Sequence, residues 1–286
     1  MRLLLIGKNK NLYSLKRISQ EGKFYLNKNN IDIYSWKDIE FYWEEKNFQI
    51  KVGNQPLENY THLLTRIAGK YYRQRYILSQ RANDLGIRCF NFQMISKFVF
   101  YDKLIQFYFL SRAGLPILPT CQFLKILKIK NNIQFNFPLI LKESEGYQAK
   151  KVWKCNSQNQ LLNQLKKREL TKNLIQPFVP NGYDIRILVI GNKVIGAYKR
   201  IALKNFKTTQ KGKNINYSPS PEEKRLAIRA VSVLKGEYAG VDLIYQKERP
   251  KILEVNLDAG FKTFEEITKI NVAKLILNQL LKSKND

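Results

Sequence analysis

The sequence predicts an α/β fold made of more than one unit, and three observations support this prediction. The chain has 286 residues, of which 44% are hydrophobic, so it can bury a full core and two subdomains. In the N-terminal third, short apolar runs bounded by turn residues alternate with segments of helical periodicity. Near the C-terminus, residues 238–246 and 251–256 are two apolar runs separated by the turn-like KERP.

Residues 1–95 predict a small α/β domain. The runs 1–7 and 61–69 have the composition of buried strands, and 71–86 has the periodicity of a helix that ends at a glycine. The strand-like run 87–92 follows this helix. A strand, a helix and a strand in this order imply a right-handed crossover and a parallel pair.

Residues 96–286 predict a second domain with two subdomains, at about 120–178 and 179–286. A linker helix is expected to begin after Asp102 as N-cap and to end at Gly114. The smaller subdomain is expected to contain, in chain order, a strand over 136–142, the flap EGYQAKKV, a strand over 151–155, a helix capped by Ser157 and a strand over 173–179. The larger is expected to contain a hairpin at Gly191–Asn192, an exposed loop over 203–218, a helix capped by Ser220, the hairpin of 238–256 and a C-terminal helix from Thr263.

Three cysteines and one histidine narrow the classes of active site. Cys89, Cys121 and Cys155 are odd in number and widely spaced, which argues against a disulfide framework and predicts reduced thiols. Any catalytic triad or histidine-rich zinc site would depend on His62, whose apolar surroundings favour a structural role. No apolar run reaches about 18 residues, so we expect a soluble, cytoplasmic protein that does not cross a membrane.

The charge balance points to acidic partners. The chain has 50 Lys and Arg against 23 Asp and Glu, a net charge of +27. A field of this size favours phosphate-rich or carboxylate-rich partners, nucleic acid and the ribosome among them, and carries no information on the fold. The sequence does not determine the oligomeric state.

Oxygen-bearing side chains interrupt the last apolar hairpin. Asp242, Glu254 and Asn256 share one face if the two runs pair antiparallel, and a short turn places Asp242 opposite either Glu254 or Asn256. Opposed carboxylates destabilise a sheet unless a cation lies between them. The pattern therefore predicts a site of hard oxygen ligands suited to Mg²⁺, with a solvated sheet face as the alternative.

Residues 239–276 carry a resemblance to a known family. They resemble the last metal-binding segment of the ATP-grasp ligases, most closely the RimK-like carboxylate–amine (glutamate) ligases. The resemblance extends over 96–280, and more faintly over the N-terminal domain, which looks like a preATP-grasp domain. It implies an ATP-grasp fold that holds nucleotide between the two subdomains of residues 96–286.

The resemblance also implies roles for individual residues. Asp242, Glu254 and Asn256 match the family's Mg²⁺ ligands. The other matching positions are Lys103 and Lys142 for the nucleotide phosphates, Pro177 and Phe178 for adenine at the hinge IQPFV, Asp184 for the ribose, Arg200 for the reacting phosphate, and Lys207, which stands where the family often carries arginine.

Two segments depart from the family pattern. The family's phosphate flap is glycine-rich, whereas this chain has Ala149 and Lys151 in place of glycines. The segment LDAG, residues 257–260, stands where the family usually has a small residue, Ser, Pro and Gly. Asp258 could therefore alter the metal shell or the acceptor site.

Two functions of different classes follow. The resemblance implies an ATP- and Mg²⁺-dependent (or Mn²⁺-dependent) ligase that joins an amino-acid donor such as glutamate to an acceptor through an acyl phosphate. An acidic peptide, protein or cofactor is the expected acceptor, because basic residues border the site at Lys150, Lys151, Lys204, Lys207, Lys211 and Lys213. The alternative is a catalytically divergent ATP-grasp protein that binds nucleic acid or the ribosome.

Overall fold

Four β-sheets organise the part of the chain that the computed structural model describes, which comprises residues 1–27, 30–45, 47–97, 102–145, 151–202 and 212–282. The side chains of residues 130 and 131 are not described. Mixed helix and strand content and the order of the elements confirm the predicted α/β class.

The N-terminal part contains a parallel sheet with strand order β2-β1-β6-β7 and a small antiparallel sheet, β3-β4-β5. Its elements are β1 (Leu3–Gly7), α1 (Tyr13–Gly22), β2 (Ile31–Ser35), β3 (Ile39–Glu44), β4 (Asn47–Val52), β5 (Gln55–Pro56), β6 (His62–Thr65), α2 (Tyr72–Asp84), β7 (Arg88–Cys89) and α3 (Phe92–Lys97). The predicted parallel pair is β6 and β7, and Gly86 after α2 has φ +73°. The last strand is shorter than predicted, because residues from Phe92 are helical.

The middle of the chain forms a linker helix and a three-stranded antiparallel sheet with order β10-β8-β9. Its elements are α4 (Lys103–Arg112), α5 (Ile126–Asn132), β8 (Leu139–Glu143), β9 (Val152–Cys155), α6 (Gln158–Lys166) and β10 (Asn173–Pro177). Asp102 caps α4 by accepting a hydrogen bond from the Leu104 N–H at 2.6 Å, as predicted.

The C-terminal part forms a five-stranded antiparallel sheet with order β13-β12-β11-β14-β15. Its elements are β11 (Tyr183–Ile190), β12 (Lys193–Ile201), β13 (Lys213–Tyr217), α7 (Pro221–Val233), β14 (Tyr238–Gln246), β15 (Arg249–Asn256), α8 (Lys262–Thr268) and α9 (Val272–Leu280). The predicted capping box holds the start of α7, since the side chains of Ser220 and Glu223 each accept a hydrogen bond from the other's backbone N–H.

Two predictions for this part are wrong. Residues 213–217 of the expected exposed loop form β13, which pairs with β12. The single C-terminal helix is two helices, since Lys269 adopts a left-handed φ of +60° and ends α8. Residues 203–211 of the expected loop lie outside the described residues.

The hairpin of β14 and β15 contains a bulge that sequence periodicity did not predict. Next to the two-residue turn Lys247–Glu248, Leu243 pairs with Ile252, whereas farther along Asp242 pairs with Glu254. Leu253 is therefore an extra residue on β15. Past the bulge, the N–H of Val255 donates to the side chain of Gln106 on α4 at 3.1 Å. The first of the two predicted registers, with Asp242 opposite Glu254, is confirmed.

The N-terminal and C-terminal parts share a core. Helix α9 packs on α1, and one buried cluster joins side chains from both parts, among them Leu15 of α1, Phe264 of α8 and Leu277 of α9. Each of the four sheets lies within a single one of the segments predicted as domains or subdomains. None of the helices in the described ranges combines the length and the hydropathy needed to cross a membrane.

Candidate active site

A row of charged side chains crosses the five-stranded sheet. Register partners place Arg186 of β11 beside Asp242 of β14, and Asp242 beside Glu254 of β15. Side chains at alternate positions of a strand share a face, so Asp184 lies on the same face of β11 as Arg186 and pairs with Arg200 of β12. Four strands and the bulge in the last of them therefore bring these groups together.

Asp242 is the centre of this row. Its side chain is 5% exposed and accepts hydrogen bonds from the guanidinium of Arg186 at 2.7 and 2.6 Å, while Arg200 lies 2.8 Å from Oδ2. Burial disfavours the charged carboxylate, yet the two guanidinium groups lower the pKa of Asp242 to about 2. The charge on Asp242 is thus fixed by two guanidinium groups in the protein interior, and at this position the sheet face is not solvated.

Arg200 also connects the row to Asp184. Its Nε donates to the Asp184 carboxylate, and both side chains are almost fully buried. A single guanidinium of β12 therefore contacts two carboxylates, Asp184 on the adjacent β11 and Asp242 on the next strand, β14. The predicted ribose residue and the predicted phosphate residue are direct neighbours in this structure.

Two lysines from outside the five-stranded sheet lie close to this row of charged side chains. Lys103, the first residue of α4, lies 3.7 Å from Glu254, and its ammonium donates to the carbonyl of Ser144 at 3.3 Å. Lys142 of β8 is 6% exposed; burial and the nearby Lys103 lower its pKa to about 7, against the opposing effect of Glu254 and Asp242. The ends of α4 and β8 thus place both predicted phosphate lysines beside the predicted metal ligands.

The linker helix and the flap strand are held together at this point. The N–H of Lys103 donates to the Ser144 carbonyl at 3.2 Å, and the Ser144 hydroxyl donates to Asp102 at 2.9 Å. The cap of α4 therefore also fixes the end of β8. Residues 146–150 of the flap lie outside the described residues, and Lys151 at its far end forms an ion pair with Glu143.

The hinge lies at the end of β10. The N–H of Phe178 donates to the Pro138 carbonyl at 3.1 Å, so the donor that sequence reasoning assigned to adenine is engaged within the sheet. A cavity of about 580 Å³ lies beside the hinge and is lined by residues 178–181, Tyr183 and residues 245–248 at the tip of the last hairpin. Its volume is in the range of small-ligand sites.

Asn256 lies opposite Gly240, two positions along the ladder from the pair of Asp242 and Glu254 and so on the same face. Its Oδ1 accepts a hydrogen bond from the Asp258 N–H at 2.9 Å. Within the described ranges, no three His, Cys, Asp or Glu side chains form a metal-binding group, so a three-ligand set requires the Asn256 amide. Two carboxylates and an amide oxygen are the donor types that Mg²⁺ or Mn²⁺ takes, and this set fits such an ion.

Several predicted positions lie outside the described residues. Lys207, the second predicted catalytic residue, is one of them, together with Lys150, Lys204 and Lys211. Lys213 is described and exposed at the start of β13.

Sequence reasoning missed Arg186, which makes the closest contacts with Asp242. A signal was available, because Arg186 follows Asp184 by two residues in a predicted strand and must share its face. The pairing of β11 with β14, which puts Arg186 against Asp242, is a long-range contact that local patterns do not specify.

Comparisons with known proteins agree with this geometry. The RimK-like ATP-grasp domain matches residues 120–280, more than half of the chain. A probable alpha-L-glutamate ligase of Legionella pneumophila strain Corby is 27% identical over 99% of this chain and 96% of that protein.

Solved structures match over almost the whole chain. A RimK domain ATP-grasp protein of Sphaerobacter thermophilus has a TM-score of 0.73 at 16% identity, covering 99% of this chain and 100% of that one. The ATP-grasp ligase PsnB, in complex with minimal precursor, Mg and ADP, has a TM-score of 0.73 at 16% identity, covering 98% and 96%. These matches confirm the ATP-grasp fold.

The fold and the family match define the class of this protein as an ATP-dependent carboxylate–amine ligase. In this class the protein supplies positioning and electrostatic stabilisation, which suits a site rich in fixed charges. The chain belongs to the RimK-like ATP-grasp family.

Proposed function

We propose that this protein forms an amide bond between the amine of an amino acid such as glutamate and a carboxylate, through an acyl phosphate made with ATP. The carboxylate would attack the γ-phosphate and release ADP, and the amine would then displace phosphate from the acyl phosphate. The observation that carries the proposal is the row of Arg186, Asp242 and Glu254, with the buried Asp242 at its centre, close to Lys103 and Lys142.

Each group in this row has a role in phosphoryl transfer. Asp242, Glu254 and Asn256 would hold Mg²⁺ or Mn²⁺, which neutralises phosphate charge when it is bound. Lys103 and Lys142 would contact the nucleotide phosphates, and Arg200 would stabilise charge that develops on the transferred group. A guanidinium already fixed by Asp184 and Asp242 needs little reorganisation during the reaction.

The remaining assignments concern the nucleotide and the second catalytic cation. Asp184 would contact the ribose, and the hinge would contact adenine through the Pro177 carbonyl and the Phe178 ring, since the Phe178 N–H is engaged. Lys207 would act beside Arg200 as a point charge, without the bidentate fork of arginine. The domain limits 1–95 and 96–286, with subdomains at about 120–178 and 179–286, are part of the same proposal.

The identity of the substrates rests on two lines of support. The Legionella relative is named a probable alpha-L-glutamate ligase, and PsnB is described with a minimal precursor. The net charge of +27 favours an acidic acceptor over a neutral or basic one. We therefore propose glutamate as donor and an acidic peptide, protein or cofactor as acceptor.

The proposal is tested by two isosteric substitutions. Glu254→Gln and Asp242→Asn should each abolish ADP release from ATP and Mg²⁺ in the presence of acceptor, while the exposed Glu266→Gln should leave it unchanged. Asp242 neutralises two buried arginines, so its variant is expected to lose stability as well, whereas Glu254 is 24% exposed and should separate the two effects. Wild-type turnover in both variants would refute the proposed site.

The product is identified by mass spectrometry. Cell extract supplied with ATP, Mg²⁺ and the protein should contain a peptide, protein or cofactor whose mass rises by one or more glutamyl residues. A rise that corresponds to another amino acid would replace glutamate as the donor and leave the ligase reaction in place.

The charge also favours a second function, binding of nucleic acid or the ribosome by a catalytically divergent protein. Binding to RNA at several salt concentrations, measured beside ADP release, distinguishes the two. Tight, salt-dependent RNA binding without any acceptor-dependent ADP release would favour this alternative.

A further inference from the structure

The segment after Asn256 is docked on the N-terminal part of the chain. Asp258 forms an ion pair with Arg75 of α2, in which Nη1 of the arginine lies 2.9 Å from Oδ2 and Nη2 lies 3.4 Å from Oδ1. The two residues are 183 positions apart in the sequence. This paired geometry directs the Asp258 carboxylate toward the N-terminal sheet.

Arg75 is fixed on its other side by β6. Its Nε donates to the Thr65 hydroxyl at 2.8 Å, and its Nη2 donates to the Thr65 carbonyl at 3.1 Å. The Arg75 side chain is 2% exposed. Removing the Asp258 carboxylate would take away an acid that lies against this buried guanidinium, which is costly.

Asp258 in turn contacts the predicted metal ligand. Its N–H donates to Oδ1 of Asn256 at 2.9 Å, which sets the side-chain orientation of Asn256. An amide oxygen has two lone pairs, so one remains for a cation. A displaced Asp258 would release this orientation.

The next residue provides a second anchor to the same domain. The Ala259 carbonyl accepts hydrogen bonds from Arg66, which follows β6, at 2.5 Å and from the Tyr238 hydroxyl at 2.6 Å. Two buried arginines at the end of β6 and on α2 therefore hold residues 258 and 259.

We infer that Arg75 is a positioning residue for Asn256, acting through Asp258, so that cation binding by the last hairpin depends on the docked N-terminal domain. This inference rests on the proposed role of Asn256 as a metal ligand. It also assigns a role to Asp258, the departure from the family pattern: its oxygens face Arg75 and its N–H orients the ligand. Partners of metal ligands commonly affect metal affinity when they are removed.

The test measures Mn²⁺ binding, by the paramagnetic resonance signal of free Mn²⁺, to full-length protein saturated with ADP. Arg75→Gln and Asp258→Asn should each raise the Mn²⁺ dissociation constant about 10- to 100-fold. The double variant should bind Mn²⁺ no more weakly than the single variants. Arg75→Lys keeps the positive charge but loses the two-nitrogen contact with the carboxylate, so its Mn²⁺ affinity should lie between those of wild type and Arg75→Gln.

Two controls separate positioning from general destabilisation. Arg17→Gln removes another ion pair between the same two parts, with Glu265 of α8 at 3.4 Å, and should lower the melting temperature without changing Mn²⁺ affinity. In an Asn256→Ala background, Arg75→Gln should weaken Mn²⁺ binding no further, because the group that it positions is gone.

The outcomes are distinct. Wild-type Mn²⁺ affinity in folded Arg75→Gln or Asp258→Asn overturns the inference and leaves the proposed function intact. An equal loss in Arg17→Gln, or a further loss in the Asn256→Ala background, also overturns it, since the effect would then be general. A wild-type protein that binds no Mn²⁺ with ADP would refute the proposed metal site and this inference together.

Discussion

The most unusual single residue is Lys142, a nearly buried lysine among two acids and another lysine. Burial and the nearby Lys103 lower its pKa to about 7 from an ordinary 10.5, so the folded protein binds this proton more weakly than the unfolded chain does. A lysine with this pKa can gain charge when phosphates approach it. The residue would then be neutral in much of the ligand-free protein and charged with nucleotide bound.

This pKa predicts how stability depends on pH. Between pH of about 7 and about 10.5 the unfolded chain binds more protons at this position than the folded protein, so the contribution of Lys142 to the free energy of unfolding rises with pH. Lys142→Met should remove that rise. Urea unfolding of both ligand-free proteins across this range measures it, and an identical pH dependence of the two would contradict the prediction.

At the residue scale the sequence predicted the pairing of Asp242 with Glu254, as one of two registers, but not the ion pairs that Asp242 forms with arginines of other strands. Asp242, Glu254 and Asn256 were singled out because oxygen-bearing side chains interrupt apolar runs, and Lys103, Lys142 and Arg200 because the resemblance to the ATP-grasp ligases implies their roles. Their contacts depend on the registers between strands. Arg186, for example, reaches Asp242 only because β11 pairs with β14 in the folded protein. The hydrogen bond from the Phe178 N–H to Pro138 likewise depends on the pairing of distant strands.

At the scale of elements, the loop after β15 packs closely on β14. Gly240 lies opposite Asn256, and a Cβ built at Gly240 would lie 2.7 Å from the Ala259 Cβ. Gly260, two residues from Asp258, has no described atom within 4 Å of such a Cβ. The two glycines are therefore a matched pair for testing this contact.

Gly240→Ala should destabilise the protein by about 1–3 kcal/mol, because the added methyl group overlaps the side chain of the buried Ala259. Gly260→Ala should change stability by less than about 0.5 kcal/mol. Chemical denaturation measures both values. Equal effects of the two substitutions would show that the loop can move away from β14 at little cost.

The sequence predicted the elements that neighbouring residues specify, but it did not predict those that depend on contacts with distant strands. Ser220, Pro221 and Glu223 specify the start of α7 from neighbouring residues alone, and the structure agrees. Strand β13 has little apolar periodicity of its own and exists because β12 offers it an edge. The division of the C-terminal helix depends on Lys269 in a left-handed conformation, which lysine rarely adopts and local propensity does not predict.

At the scale of the whole molecule, the net charge of +27 should govern how acceptors arrive. Salt shortens the Debye length to about 8 Å near 0.15 M, so a positive field loses range as ionic strength rises. Added salt should therefore lower kcat/KM for an acidic acceptor much more than it lowers kcat. Steady-state kinetics at several salt concentrations provide the measurement.

A triple variant, Lys207→Gln, Lys211→Gln and Lys213→Gln, should flatten this salt dependence and leave affinity for Mg²⁺ and ATP less affected. The same number of substitutions at exposed lysines of the N-terminal domain, Lys8, Lys23 and Lys37, is the matched control and should change the dependence less. A salt-independent reaction, or a preference for a neutral acceptor, would refute the role of charge and leave the ligase assignment in place.

The bulge at Leu253 makes the site sensitive to the number of residues in β15. Gln246 pairs with Arg249 beside the turn, and Asp242 lies four residues before Gln246, whereas its partner Glu254 lies five residues after Arg249. Without the bulge, Leu253 would pair with Asp242. Glu254 and Asn256 would then point to the opposite face of the sheet, into the core beneath α7. A substitution at position 253 changes the side chain there but not this count. Deleting Leu253, by contrast, would leave a regular ladder in which Asp242 still pairs with Glu254. The site would therefore tolerate the loss of this residue better than the insertion of another one.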